Sequence, residues 1–176
     1  AINVTIPYKE KVIPHLDFIS DEAKTIGAVN TIVNKNGVLY GYNTDFYGMK
    51  MLIEKAGIDI KNKTVAILGS GGTSKTANAV VNFLGAKVVY KVSRNTKDDF
   101  ISYDELYNIS DNIEVIINTT PVGMYPDIYN SAVDVKRFKN LSGVVDAVYN
   151  PLRSKIVSDA LELQAKAVGG LYMLVA

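Results

Sequence analysis

The chain has 176 residues, a formal net charge of +1 and 48% hydrophobic content. That is enough for one domain plus part of a second, with scattered basic residues that give no field for nucleic acid or an anionic membrane and no apolar run of about 18 residues to span one. It contains no cysteine and one histidine, His15, which excludes disulfides, thiolate catalysis and zinc–cysteine sites, argues against any metal, and is compatible with a cytoplasmic location.

Ile2–Ile6 alternates apolar and polar side chains before Pro7 and predicts a half-buried strand. Short helical pieces follow over Val12–Leu16 and Asp21–Ile26, then a strand over Ala28–Val33. Asn36-Gly37 is the strongest turn signal in the chain and joins that strand to Val38–Tyr42 as a β-hairpin. Asn43-Thr44-Asp45 reads as a helix N-cap cluster, with Met49, Leu52, Ile53 and Ala56 at helical spacing up to Gly57. A domain boundary is expected near Asn62, giving segments 1–61, 62–150 and 151–176.

Beyond it strands and helices alternate: a strand over Thr64–Leu68, a helix over Ser74–Leu84, a strand over Lys87–Val92, a helix over Tyr103–Ile109, strands over Glu114–Asn118 and Gly143–Val148, and a helix over Ser154–Ala167. This order predicts an α/β fold, a Rossmann-like parallel sheet binding a nucleotide, joined to part of a smaller α/β domain. The chain starts at Ala1 and stops in the apolar run Gly170–Ala176, and is read here as a piece of a longer protein.

The segment Thr64–Thr76, TVAILGSGGTSKT, is a buried strand breaking into a glycine-rich turn and a helix start, where backbone N–H groups and the helix dipole attract a phosphate. A P-loop needs glycine where Ser74 stands, immediately before Lys75-Thr76. The dinucleotide fold fits better, with Gly69 and Gly71 in place and the small Ser74 allowing close helix packing. After the next strand comes Ser93-Arg94-Asn95-Thr96-Lys97. A cation here suits the 2′-phosphate of NADP rather than the ribose of NAD. Asp98 and Asp99 oppose that reading by repelling a phosphate.

Asn3-Val4-Thr5-Ile6-Pro7-x-Lys9, Ile26-Gly27-Ala28-Val29-Asn30-Thr31, Gly41-Tyr42-Asn43-Thr44-Asp45, Asn118-Thr119-Thr120-Pro121-Val122-Gly123-Met124, Asp146-x-x-Tyr149-Asn150-Pro151-Leu152 and Gly170-x-x-Met173-Leu174 together resemble the successive signatures of shikimate dehydrogenases. The resemblance covers essentially the whole chain. It implies reduction of 3-dehydroshikimate to shikimate with NADP(H), in chorismate and aromatic amino-acid biosynthesis. By the same resemblance Lys9 and Asp45 are the catalytic pair, and Thr5, Asn30, Tyr149, Gly170 and Met173 border or hold the substrate. Gly69, Ser70, Gly71, Gly72 and Thr73 cradle the pyrophosphate, and Ser93, Arg94, Asn95, Thr119, Thr120 and Ala147 complete the cofactor site. The family's substrate-carboxylate serines, from an upstream segment, and a glutamine after the Met-Leu motif fall outside this chain. A homodimer and fusion to another shikimate-pathway enzyme are assemblies it leaves open.

Departures from the family pattern fall at Tyr8 (often histidine), Phe46 (often glycine), Ser93-Arg94-Asn95 (usually Asn-Arg-Thr) and Asp98, where a second arginine occurs. Two alternatives stand beside this reading: an NAD-dependent quinate/shikimate dehydrogenase, and a non-catalytic dinucleotide-binding fragment. Lys9 with Asp45 argues against the second, since cofactor binding alone requires neither. Hydride arriving at a ketone builds an alkoxide, which an ammonium can stabilise and protonate. Lysine carries its proton at neutral pH, so Lys9 suits the role of acid, and the reverse oxidation should quicken as pH rises.

Overall fold

The computed structural model describes residues 1–5, 7–97 and 99–175, and they form two sheets. The first comprises β1 (Ile2–Asn3), β2 (Phe18–Ile19), β3 (Thr31–Lys35) and β4 (Val38–Tyr42) in the order β1-β3-β4-β2. Its centre is the expected hairpin, with Asn36 at φ 53 and Gly37 at φ 91, the two positive values that a type I′ turn demands. The strand expected over Ile2–Ile6 shrinks to Ile2–Asn3, prolonged by a bond from Val4 N to Asn30 O at 2.7 Å; Ile6 lies outside the described residues. The strand expected from Ala28 starts at Thr31. Helix α1 (Asp21–Ile26) is capped by Ser20, whose hydroxyl accepts from Ala23 N, and ends at Gly27 with φ 71. The Val12–Leu16 piece is a single 3-10 turn over Ile13–His15.

The second sheet has six parallel strands, β5 (Thr64–Leu68), β6 (Val88–Val92), β7 (Phe100–Ile101), β8 (Val115–Asn118), β9 (Gly143–Asp146) and β10 (Lys166–Val168), ordered β10-β9-β8-β5-β6-β7. The chain moves outward from β5 to β6 and β7, then returns to the other side of β5 for β8. That reversal opens a crevice beyond the carboxyl ends of β5 and β8, where doubly wound sheets bind ligands. Side-chain alternation along β5 divides the core in two. Val65 and Ile67 face Met49, Leu52 and Ile53 of α2 (Thr44–Lys55) and Ala77 and Val80 of α3 (Gly72–Phe83). Ala66 and Leu68 face Leu106 of α4 (Tyr103–Asn108) and Ile156, Val157 and Ala160 of α5 (Lys155–Glu162). Burying each large aliphatic side chain stabilises the fold by about 1.5–3 kcal/mol, which outweighs weak local propensity in the short strands.

The helix expected over Ser154–Ala167 is shorter. It stops at Glu162, Gln164 takes φ 60, and Lys166–Val168 pairs in parallel with Gly143–Val145 as the sheet's edge. A three-residue edge strand has too few residues to show a period of two, and β2 and β7 escaped notice for the same reason. The terminal apolar run forms α6 (Tyr172–Val175), which packs on α2 where Gly48 lacks a side chain; a Cβ there would meet Met173 O at 2.9 Å. Among the described residues no helix is long and apolar enough to cross a membrane.

One ion pair ties strand starts together. Glu114, just before β8, accepts from Lys63 Nζ at 2.8 Å and from Thr64 N at 2.9 Å. The Lys63 hydrogen bond, then that of Thr64 N, holds the Glu114 carboxyl below its ordinary range, and Glu114 raises Lys63. A lowered carboxyl contributes stability above its unfolded pKa and loses it as pH falls through the folded value; a raised lysine keeps its contribution until pH climbs through its own folded value. Glu114→Gln is therefore expected to lower Tm at neutral pH and to match the unsubstituted protein in strong acid, as thermal melts across pH would register.

Candidate active site

Lys9 sits in the loop after β1, held by its carbonyl accepting from Val29 N at 2.8 Å. Asp45 stands in the first turn of α2, where the dipole favours a carboxylate. Asn43 fixes that helix start: its Oδ1 accepts from Phe46 N and its Nδ2 donates to Ala28 O at 3.0 Å. These two anchors bring together side chains 36 positions apart, with Lys9 Nζ donating to Asp45 Oδ2 at 2.6 Å. The pair is part-buried, at 18% and 23% side-chain exposure, accessible to a ligand yet shielded enough to keep its attraction strong.

Asn30 joins the same cluster. Its Oδ1 accepts from Thr44 N at 2.9 Å, from Thr44 Oγ1 and from Thr31 Oγ1, so its amide is oriented by the residue preceding Asp45. Thr5 is exposed at the start of the Lys9 loop and its carbonyl accepts from Tyr8 N. The neighbouring Glu10 accepts from Lys75 of α3 at 2.6 Å. That contact accounts for the lysine that gave the glycine turn its P-loop look.

The glycine turn lies across from this loop. Gly69 has φ 114, and a Cβ there would meet Thr119 Oγ1 at 2.7 Å. Gly71 is the N-cap of α3 and offers no side chain to its first N–H groups; a Cβ on it would meet nothing within 4 Å. Gly72 faces the Lys9 stem, with Lys9 Cδ 3.8 Å from where a Cβ would sit. An uncapped helix start above an open, side-chain-free turn fits a dinucleotide pyrophosphate. Ser70 is exposed and Thr73 half-buried on this rim. At the end of β6, Ser93 is buried with its hydroxyl accepting from Asn95 N at 3.2 Å, while Arg94 is exposed; Asp98 lies outside the described residues. A cavity of about 1160 Å³ runs along the flank of α3, lined among others by Ser70, Ser74, Asn78, Lys91 and Asn95. It touches the turn but neither Lys9 nor Asp45.

The third wall is built by the ends of β8 and β9. Thr119 Oγ1 donates to Leu68 O at 2.6 Å, Thr120 Oγ1 donates to Asn118 Oδ1 at 2.6 Å, and Ala147 N donates to Asn118 O at 2.9 Å. Tyr149 is about half exposed. Gly170 is buried against the Ala147 carbonyl, and Met173, half-buried, lies over α2. Thus Lys9 is in contact with Asp45 and lies against Gly72, Asn30 is joined to them through Thr44, the loops of Thr119, Thr120 and Ala147 are linked by other bonds, and Thr5, Arg94 and Tyr149 stand at the exposed margins. Among the described residues no group of three or more His, Asp or Glu is placed to hold a metal ion.

The shikimate dehydrogenase substrate binding domain profile matches residues 1–32. The shikimate dehydrogenase (NADP(+)) of Clostridium perfringens is 46% identical over 98% of the chain and 67% of that protein. The chain belongs to the shikimate dehydrogenase family. Among solved structures, a chorismate mutase/shikimate 5-dehydrogenase fusion protein from Clostridium acetobutylicum superposes with a TM-score of 0.91 at 43% identity, over 98% of this chain and 65% of that one. The shikimate 5-dehydrogenase from Thermus thermophilus in complex with NADP(H) and shikimate gives 0.85 at 29% identity, over 98% and 67%. This family member therefore spans about two thirds of the length of the relatives it matches.

Sequence reasoning met Asn118 and Asp146 within apolar strands and family motifs and Ser154 as a helix start, and gave none of the three a role in the site. In the fold these three are buried and joined, Asn118 Nδ2 donating to Asp146 Oδ1 at 2.9 Å and Ser154 Oγ donating to Asp146 Oδ2. A signal was present: β8 and β9 are apolar up to a last residue that is polar in each, Val-Ile-Ile-Asn and Gly-Val-Val-Asp.

Proposed function

We propose that this chain carries the catalytic and cofactor residues of an NADPH-dependent dehydrogenase that reduces 3-dehydroshikimate to shikimate. The observation that carries this reading is the 2.6 Å contact between Lys9 Nζ and Asp45 Oδ2 beside an uncapped glycine turn. Bound NADPH supplies the hydride. Lys9 donates its proton to the oxygen that becomes the new hydroxyl, and Asp45 keeps the ammonium oriented. Asn30, Thr5, Tyr149, Gly170 and Met173 surround the substrate; its hydroxyls need several donors and acceptors, which Asn30 and Tyr149 supply. Gly69 to Thr73 hold the pyrophosphate, and Ser93, Arg94, Asn95, Thr119, Thr120 and Ala147 take the remainder of the cofactor. The assay is consumption of NADPH with 3-dehydroshikimate, by this chain and by the full-length protein that contains it; no turnover by the latter overturns the reading.

Arg94 is the cofactor discriminator. Charge-assisted contact with the 2′-phosphate predicts that Arg94→Ala raises KM for NADPH by about 10- to 100-fold and leaves that for NADH nearly unchanged. A native preference for NADH would favour the quinate/shikimate alternative.

The proposal extends to organisation. Residues 1–61 belong to the substrate-binding domain, 62–150 to the cofactor domain, and 151–176 return towards the first. The setting is chorismate and aromatic amino-acid biosynthesis in the cytoplasm. A homodimer is the expected assembly, tested by sedimentation. The Clostridium acetobutylicum fusion supports seeking a second shikimate-pathway enzyme in the same polypeptide.

A further inference from the structure

Asp146, the last residue of β9, is fully buried, as is Asn118 at the end of β8, and Ser154 is 1% exposed. Its Oδ1 accepts from Asn118 Nδ2 at 2.9 Å and from Val148 N at 3.0 Å, and its Oδ2 accepts from Ser154 Oγ. Asn118 in turn accepts at Oδ1 from Thr120 Oγ1 at 2.6 Å and from Thr120 N at 3.1 Å, and the Thr120 hydroxyl accepts from Val122 N at 3.3 Å. Every link has a fixed donor and acceptor. Because the carboxyl takes the Asn118 amide N–H₂, the Asn118 carbonyl must face Thr120, which directs the threonine hydroxyl inward. Burial pushes the Asp146 carboxyl up, against the Ser154, Val148 and Asn118 hydrogen bonds, which pull it down. A group kept in a site that disfavours its charged form costs stability unless the network is complete.

Two loops hang on this one side chain: the turn after β8, with Thr119 and Thr120, and the turn after β9, with Ala147 and Tyr149. We propose that Asp146 is a positioning residue that, through Asn118 on one side and Val148 N with Ser154 on the other, sets the spacing and hydrogen-bond polarity of the two loops against which the dinucleotide binds. The inference rests on the cofactor reading of Thr119, Thr120 and Ala147 given above. Asp146 does not touch the ligand; it acts through those loops. An amide at position 146 keeps an oxygen for Asn118 and Val148 N, yet presents N–H₂ to Ser154 Oγ, which must turn from donor to acceptor, so the Ser154 O–H proton loses its acceptor and the polarity of that link reverses while the packing volume stays the same.

The test measures the Kd of NADPH by fluorescence titration, amide exchange at Thr120 and Val148 without cofactor, and Tm. Asp146→Asn is expected to weaken NADPH about tenfold and to speed exchange at both amides, and Ser154→Ala to weaken NADPH about threefold. Ile156→Val, a core change behind the same sheet, serves as control: it lowers Tm and leaves Kd unchanged. Kd within twofold of the unsubstituted protein for folded Asp146→Asn, or for Ser154→Ala if the first does not fold, overturns the proposal and reduces the network to a structural one. No NADPH binding by the unsubstituted protein overturns the cofactor reading itself and this inference with it. The two failures are therefore told apart by the unsubstituted titration.

Discussion

Lys9→Ala is expected to lower kcat for 3-dehydroshikimate reduction by about 10²- to 10⁴-fold, the range for loss of a positioned proton donor, while KM for either ligand changes little. The argument is geometric. Lys9 Nζ is held at 2.6 Å by Asp45, its stem lies along Gly72, and its backbone is pinned by Val29, so the ammonium is preorganised. Removing it takes away an interaction that grows as the oxygen gains charge and that the uncharged ketone barely feels. Asp45→Asn should cost less, because the amide retains an oxygen for Lys9 and loses only the charge. Steady-state kinetics with both substrates varied separate the cases; a raised KM with kcat intact makes Lys9 a binding residue. Rates of the reverse oxidation that stay flat from neutral to alkaline pH would argue against proton donation by Lys9.

The second large effect concerns two glycines that resemble each other in sequence and differ in the fold. At Gly170 a Cβ would overlap Ala147 O and lie 2.6 Å from Ala147 C. Both are backbone atoms, so no rotamer change relieves the overlap and the turn after β9 must shift. Gly170→Ala is expected to cost about 3 kcal/mol, which for a chain of this size lowers Tm by roughly 6–12 °C. Gly71 has open space around it. Gly71→Ala should leave Tm within a few degrees and weaken NADPH, since the added methyl occupies the volume a phosphate needs. Melting curves with and without NADPH distinguish them: the first variant falls in both, the second chiefly loses the ligand-induced rise.

How legible the molecule was depended on where information was stored. The parallel sheet was readable because β5, β8 and β9 are apolar almost throughout and because α3 and α4 stand between β5 and β8; between β8 and β9 only a 3-10 turn over Val135–Arg137 intervenes. The hairpin was readable because Asn36-Gly37 leaves few other turn types. What escaped were elements fixed by their neighbours: β2, β7 and β10 exist because an adjacent strand offers free backbone groups, and no pattern of three residues or fewer encodes that. At the site, Lys9, Asn30 and Asp45 were each ambiguous singly and became specific through their order in the chain. Their meeting depends on Asn43 and Val29: the Asn43 cap was expected from the sequence, whereas its bond to Ala28 O and the backbone bond from Val29 N to Lys9 O are displayed only by the fold. The Asn118–Asp146–Ser154 links were hidden for a related reason, since hydrogen bonds among residues 8 and 28 positions apart leave no periodic trace.

The Lys9 stem resting on Gly72, with Glu10 bonded to Lys75 alongside, restricts how members of this family can be recombined. A chimaera taking the Lys9 loop from one protein and α3 from another must bring a small residue at position 72, while the exposed Glu10–Lys75 pair adds only a slight preference for a cation at 75. An alanine at 72 would sit at ordinary contact distance, 3.8 Å from Lys9 Cδ, and larger side chains there share space with the Lys9 stem. The two halves are thus modular in topology, while at this seam the small residue of one half makes room for the lysine of the other.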